Sequence, residues 1–189
     1  HVERSRRLNA GESLSQITDD FSRAFGISAH LLPITDDPVR TVIETHKGAI
    51  SFQDYFVRRQ SKPAIENIVF EGADKAVRSA WAMKALQLPY LRAFVICPSN
   101  PFLSIDPILA VDGYRQALIN CSAPVIAVSP IIGGQAVKGP TSKIMGEISM
   151  PSTARAVADY YGEILDGFVF DKADAAEASS ASLPSQVTQ

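Results

Sequence analysis

Three short runs, at residues 93–97, 124–128 and 167–170, set the strongest constraint on what this chain can fold into. Each has the length of a strand and is apolar throughout instead of alternating, so water cannot lie along either face. A fourth run, 65–70, is also strand-like. Between and after them come helical patterns at 74–86, 112–120, 143–148 and 153–161. Strands buried on both faces that alternate with helices predict an α/β fold, a parallel sheet covered on both sides.

The first third follows different rules. Ser13-Leu14-Ser15-Gln16 has the spacing of a capping box, and Leu14, Ile17, Phe21 and Phe25 then recur at helical intervals up to Gly26. Pro33 and Pro38 forbid a helix in the next stretch. Residues 39–45 read as a partly buried strand, His46-Lys47-Gly48 as a turn and 49–52 as the returning strand. A short helix is expected over 52–59, with Tyr55 and Phe56 pointing inward. The division is therefore a helix plus a small, mostly antiparallel α+β insertion at 1–62, an α/β core at 63–172, and a tail at 173–189 whose first few residues can continue a helix and whose Ala/Ser-rich remainder reads as flexible.

Composition narrows the function classes. The formal net charge is −2, without the basic surplus of a non-specific nucleic-acid binder. No apolar run reaches the roughly 18 residues needed to cross a bilayer, and no secretory leader pattern opens the sequence. Cys97 and Cys121 lack metal-ligand spacing and are expected to be reduced, packed thiols. The expectation is a cytoplasmic protein with neither a nucleic-acid nor a membrane partner. The chain begins at His1 and runs straight into an amphipathic pattern, which reads as part of a longer protein.

In open α/β sheets, ligands bind beyond the carboxyl ends of the strands. The segment after 93–97 is stiffened by Pro98, Pro101 and Pro107, and carries Ser99, Asn100 and Ser104 as neutral donors and acceptors suited to a base, a ribose or a phosphate edge. Those groups could equally satisfy nearby backbone. The segment after 124–128 contains Gly133-Gly134, whose amides can face an anion, with Lys138 and Lys143 for charge and Ser142 as a helix cap. The spacing matches neither a P-loop nor a dinucleotide fingerprint, and a plain glycine turn with solvated lysines is the alternative. Asp171 at the end of the last strand reads as a helix cap. In the first third, Thr35, Asp36, Asp37 and Arg40 join acids, a hydroxyl and a cation; beside Pro38 the acids read as turn formers.

These loops are where a family becomes visible. Cys97-Pro98-Ser99-Asn100-Pro101-Phe102-Leu103-Ser104-Ile105-Asp106-Pro107 and Ser129-Pro130-Ile131-Ile132-Gly133-Gly134-Gln135-Ala136-Val137-Lys138-Gly139-Pro140 resemble the 2-phospho-L-lactate transferase (CofD-like) family. Segments 32–41, 52–58 and 166–169 resemble it in the same order. The resemblance implies a Rossmann-like, three-layer α/β fold. It implies transfer of a phospholactyl or phosphoenolpyruvyl unit from a guanosine diphospho-linked small acid to the terminal ribityl hydroxyl of the deazaflavin precursor Fo, with release of GMP, in coenzyme F420 biosynthesis. Magnesium is the implied cofactor and a homodimer the implied assembly.

On that resemblance, Ser99, Asn100, Pro101, Ser104, Gly133, Gly134 and Lys138 are expected on the donor side. Thr35, Asp36, Arg40 and Tyr55 are expected on the acceptor side, where a flat ring favours aromatic and apolar walls. Family members also carry a glycine-rich loop after a first strand and acids soon after it. This chain has neither, so the metal site is expected upstream and the chain as given is expected to lack transferase activity that the full-length protein has. Two rivals remain. A nucleotide-sugar-binding regulatory protein resembling the gluconeogenesis-factor family would generally lack these loops, and a glycosyltransferase-like module would show a D-x-D triplet at a strand end.

Overall fold

The computed structural model describes residues 1–178. Helices α1 (Val2–Asn9) and α2 (Leu14–Ala24) open the chain. The predicted capping box forms: the Ser13 hydroxyl accepts from the Gln16 amide, and the Gln16 side chain accepts from the Ser13 amide. Arg7 of α1 reaches both Glu12 and Asp20, tying the helices together. Its hydrogen bonds hold both carboxyls below the usual carboxylate range.

The first sheet is antiparallel. Strands β1 (Arg40–Thr45) and β2 (Gly48–Ser51) form the expected hairpin, and β3 (Asn67–Glu71) pairs with the other edge of β1, from Arg40↔Glu71 to Glu44↔Asn67. The sequence reading grouped this last strand with the α/β core. Its hydrogen bonds place it in the antiparallel sheet instead. Glu66 and Asn67 interrupt its apolar run, and a strand covered on both faces has no room for them. A single wide turn (Asp54–Arg58) follows β2. Tyr55 is fully buried, but Phe56 is 44% exposed and does not point inward as expected.

The helix expected over 74–86 is shorter, α3 (Ala80–Ala85), with the Ser79 hydroxyl as its cap. The residues before it are held by other partners: the Val77 amide donates to Asp37 and the Ser79 amide to the Ile34 carbonyl.

The second sheet is the predicted parallel one. After β4 (Phe94–Ile96), the chain passes through a wide turn (Pro101–Ile105), α4 (Asp106–Leu109) and α5 (Tyr114–Ile119) to β5 (Val125–Val128). A small hairpin, β6 (Ile131–Ile132) and β7 (Gln135–Ala136), precedes α6 (Thr141–Glu147) and α7 (Ala154–Tyr161). Strand β8 (Gly167–Val169) closes the sheet in the order β4-β5-β8, with both pairings parallel. Val125 and Ala127 are wholly buried, and α7 contributes Ala154, Val157, Ala158 and Tyr161 at helical spacing to the same core.

After β8 a turn at Lys172–Asp174 leads into α8 (Ala175–Ala178). The start of the tail is therefore folded, with Asp174 3% exposed; the flexible reading of 179–189 lies outside the described residues. Both cysteines are free, as expected, but Cys97 is exposed and not packed. No helix among the described residues is long and apolar enough to cross a membrane.

The antiparallel sheet and the α/β core meet at α6. The Lys143 ammonium donates to the Pro63 carbonyl at 2.8 Å and pairs with Glu147; Glu147 accepts the Ile65 amide at 3.2 Å. Tyr55 lies beneath, with the Lys143 ammonium 5.8 Å from its ring centre.

Candidate functional site at the carboxyl edge of the parallel sheet

The register Ile96↔Ala127 and Val128↔Val169 aligns the carboxyl ends of β4, β5 and β8. The connections that leave these strands therefore start along one rim, the place where open α/β sheets bind ligands.

The first connection is built around Asn100. Its side-chain oxygen accepts from the Phe102 and Leu103 amides, both at 3.0 Å, while Pro101 starts the wide turn without needing a donor. Pro101 and Phe102 are buried, and the Phe102 ring meets Tyr160 edge-on at 5.0 Å. The Tyr160 hydroxyl donates to Asp106. Burial pushes the Asp106 carboxyl above its ordinary range, although the Tyr160 bond opposes that shift; burial and then the Asp106 bond raise Tyr160. Ser99 is half-buried, and Ser104 is exposed with its amide given to the Asn100 carbonyl.

In the second connection, the Ser129 amide donates to Val169 across the sheet, and its hydroxyl is bonded to both ends of Ile131. Gly133 and Gly134 have φ of 55° and 78°. Both are the central residues of the β6–β7 hairpin, whose two-residue turn demands left-handed backbone. The Gly133 amide, expected to face a phosphate, instead donates to Asp174 at 2.9 Å. The seat is occupied by a carboxyl group of the same protein. Ser152 donates to the Gly134 carbonyl, and Ser142 does not cap α6 but accepts from the Ala136 amide. Lys138 is exposed, whereas Lys143 is turned away to Pro63 and Glu147.

The residues expected on the acceptor side serve the framework. Thr35 is buried, donating to the Val77 carbonyl and accepting from the Asp37 amide. Asp36 accepts from the Ser15 amide. Arg40 is exposed at the start of β1, opposite Glu71. Tyr55 is fully buried, with no ring face open to a flat ligand. Asp171 caps the turn after β8, as expected.

Three buried polar atoms lack partners along the rim: the Asn100 amide nitrogen, the Thr141 hydroxyl and the second oxygen of Asp174. One follows each strand of the parallel sheet. Buried polar groups are nearly always satisfied, so each of these unpaired atoms is a candidate ligand contact. The sequence reading found Asn100 but neither Thr141 nor Asp174. The strand-end rule that singled out Asp171 reaches Asp174 once the turn after β8 is counted as part of the rim.

Comparison with known proteins decides the family. The family profile described as "2-phospho-L-lactate transferase CofD" matches residues 1–187. The chain belongs to that family. A 2-phospho-L-lactate transferase of Methanosarcina mazei is 38% identical over 177 residues, which is 94% of this chain and 57% of that protein. A phosphoenolpyruvate transferase of Kitasatospora aureofaciens is 39% identical, covering 92% of this chain and 55% of that one. The chain thus spans a little over half the length of these relatives. A solved structure of a Bacillus halodurans protein superposes with a TM-score of 0.59 at 15% identity, covering 94% of this chain and 56% of that one, and supports the α/β fold. Among the described residues no group of three or more His, Cys, Asp or Glu is placed to hold a metal ion.

Proposed function

We propose that this chain supplies the donor-side rim of an enzyme that moves a phospholactyl or phosphoenolpyruvyl group from a guanosine diphospho donor to the ribityl hydroxyl of the deazaflavin precursor Fo. In that reaction the hydroxyl oxygen forms a bond to the phosphorus that carries the small acid. The bond from that phosphorus to the bridging oxygen breaks, and GMP leaves. Such a displacement needs an aligned donor and balanced phosphate charge more than covalent help from the protein. The rim offers positioning: the Asn100 amide as a donor, the Thr141 hydroxyl, and the Gly133 amide once Asp174 yields it. Relatives of nearly equal identity carry the lactate and the enolpyruvate names, so either small acid fits the proposal. Magnesium and a homodimer are proposed for the whole protein, and no step is assigned to the metal. The chain itself is proposed to bind the donor nucleotide without turning it over.

The observation that carries this reading is the unpartnered Asn100 amide on a family loop at the carboxyl end of β4. Asn100→Asp tests it, because the acceptor that caps Phe102 and Leu103 is kept while the donor is lost. Guanosine diphosphate should bind the parent chain, and the variant should lose about tenfold in affinity while its unfolding midpoint moves little. No binding by the parent, or equal binding by the variant, would overturn the assignment. Adding donor and Fo to the chain should yield no GMP.

A further inference from the structure

A second concentration of charge lies away from these loops. The β1–β2 turn and the segment after the wide turn at 54–58 meet around a cavity of about 380 Å³. It is lined by His46, Lys47, Arg58, Arg59 and Lys62, together with Thr45 and Pro63. No residue of the rim lines it. No acid lines it either, in a chain whose formal net charge is −2.

The cations are held there by the local structure. The Thr45 hydroxyl accepts the Lys47 amide and donates to the Gly48 carbonyl, fixing the turn. Asp54, mostly buried, binds Arg59 at 2.7 Å and Arg58 at 3.4 Å from behind. Among the described residues no ion pair engages Lys47 or Lys62. Gln60 and Ser61 then adopt φ of 52° and 56°, two successive non-glycine residues in left-handed backbone. Left-handed backbone is unfavourable for residues with a Cβ, and such strain persists where the surroundings demand it. Hydrogen bonds from the Ser61 amide to Tyr55 and from the Lys62 amide to Arg59 hold the bend. The bend returns Lys62 to the side of the two arginines.

We propose that this cavity binds a small molecule bearing two or more phosphate charges. Its size falls at the lower end of small-ligand pockets, roughly 300–1,000 Å³. The guanidinium N–H groups that Asp54 does not engage can donate to phosphate oxygens, and two lysines supply mobile point charges around them. The cluster exceeds what one carboxylate needs and suits a compact polyanion. This site is separate from the donor rim proposed above and does not rest on it.

Calorimetric titration of the 189-residue chain with inorganic pyrophosphate tests the proposal. Lys47→Gln/Lys62→Gln should weaken binding at least about tenfold, and Arg58→Gln, whose side chain is mostly exposed, should weaken it in the same direction without risk to the fold. Lys75→Gln/Lys84→Gln, exposed lysines elsewhere, should change affinity by less than about twofold. Loss of binding in Lys138→Gln alone would move pyrophosphate to the rim and overturn this site while leaving the donor reading intact. Equal losses in the Lys75/Lys84 control, no loss in either cavity variant, absence of binding by the parent chain, or equally tight binding of citrate would also overturn it.

Discussion

Asp106 shows how a single side chain in this fold becomes sensitive to pH. It follows the wide turn after Asn100, is largely enclosed, and takes the Tyr160 hydroxyl as donor. Burial raises its affinity for a proton above that of an unfolded aspartate. The folded state therefore binds the extra proton first, and stability falls as pH rises from the ordinary carboxyl value through the raised one. Asp106→Asn keeps an acceptor for Tyr160 and removes the charge. Its unfolding temperature, relative to the parent's, should climb as pH rises above about 4, the ordinary carboxyl value; a difference that stays constant with pH would show that burial of this carboxylate has no thermodynamic weight. Asn100→Ala should cost about 1–2 kcal/mol in urea unfolding, the loss of an N-terminal cap, whatever happens to ligand binding. Asn100 and Pro101 could be read from sequence because an Asn-Pro pair has local consequences for the backbone beside it. Asp174 could not, since its partner Gly133 is 41 residues away and only the sheet brings them together.

At the scale of elements, two glycines with similar backbone angles should respond differently to the same change. Gly134, in the β6–β7 turn, has φ of 78°, and an added Cβ would lie 3.6 Å from the Ser152 carbonyl, an ordinary contact. Gly134→Ala should cost about 1–2 kcal/mol, the strain of left-handed backbone alone. Gly72, just after β3, has φ of 87°, and its Cβ would come within 2.6 Å of the Pro38 carbonyl, a backbone atom that cannot swing aside. Gly72→Ala should therefore cost more, about 3 kcal/mol or above. Urea midpoints of the two variants should fall in that order, and the reverse order would show the Pro38 approach to be loose. The three parallel strands and the first hairpin were legible in the sequence because uniform apolarity and strict alternation are local signals. Strand β3 was legible as a strand but not in its partner. The helix after it was overdrawn because Asp37 and Ile34, distant in sequence, claim the amides at Val77 and Ser79.

For the whole molecule, the decisive contact is the one no local pattern announced, where α6 carries the antiparallel sheet. Glu147 does two jobs there: one oxygen accepts the Ile65 amide at 3.2 Å, and the other pairs with Lys143, whose ammonium also reaches the Pro63 carbonyl. In sequence, Lys143 after a glycine loop reads as positive charge for a phosphate or as a solvated lysine; the fold uses it as a bracket between two sheets. Glu147→Gln keeps an acceptor for Ile65 and loses only the charge of an ion pair that is mostly buried, so it should cost about 1 kcal/mol. Glu147→Ala leaves the Ile65 amide without a partner and Lys143 without its acid, and should cost about 1–3 kcal/mol more. If α6 is the bracket, amide hydrogen exchange in β1 to β3 should accelerate in Glu147→Ala while exchange in β4, β5 and β8 changes little, because the parallel sheet keeps its own core. Uniform acceleration across both sheets would mean instead that the two unfold as one unit, with Glu147 contributing to a shared stability and not to the docking of one sheet on the other.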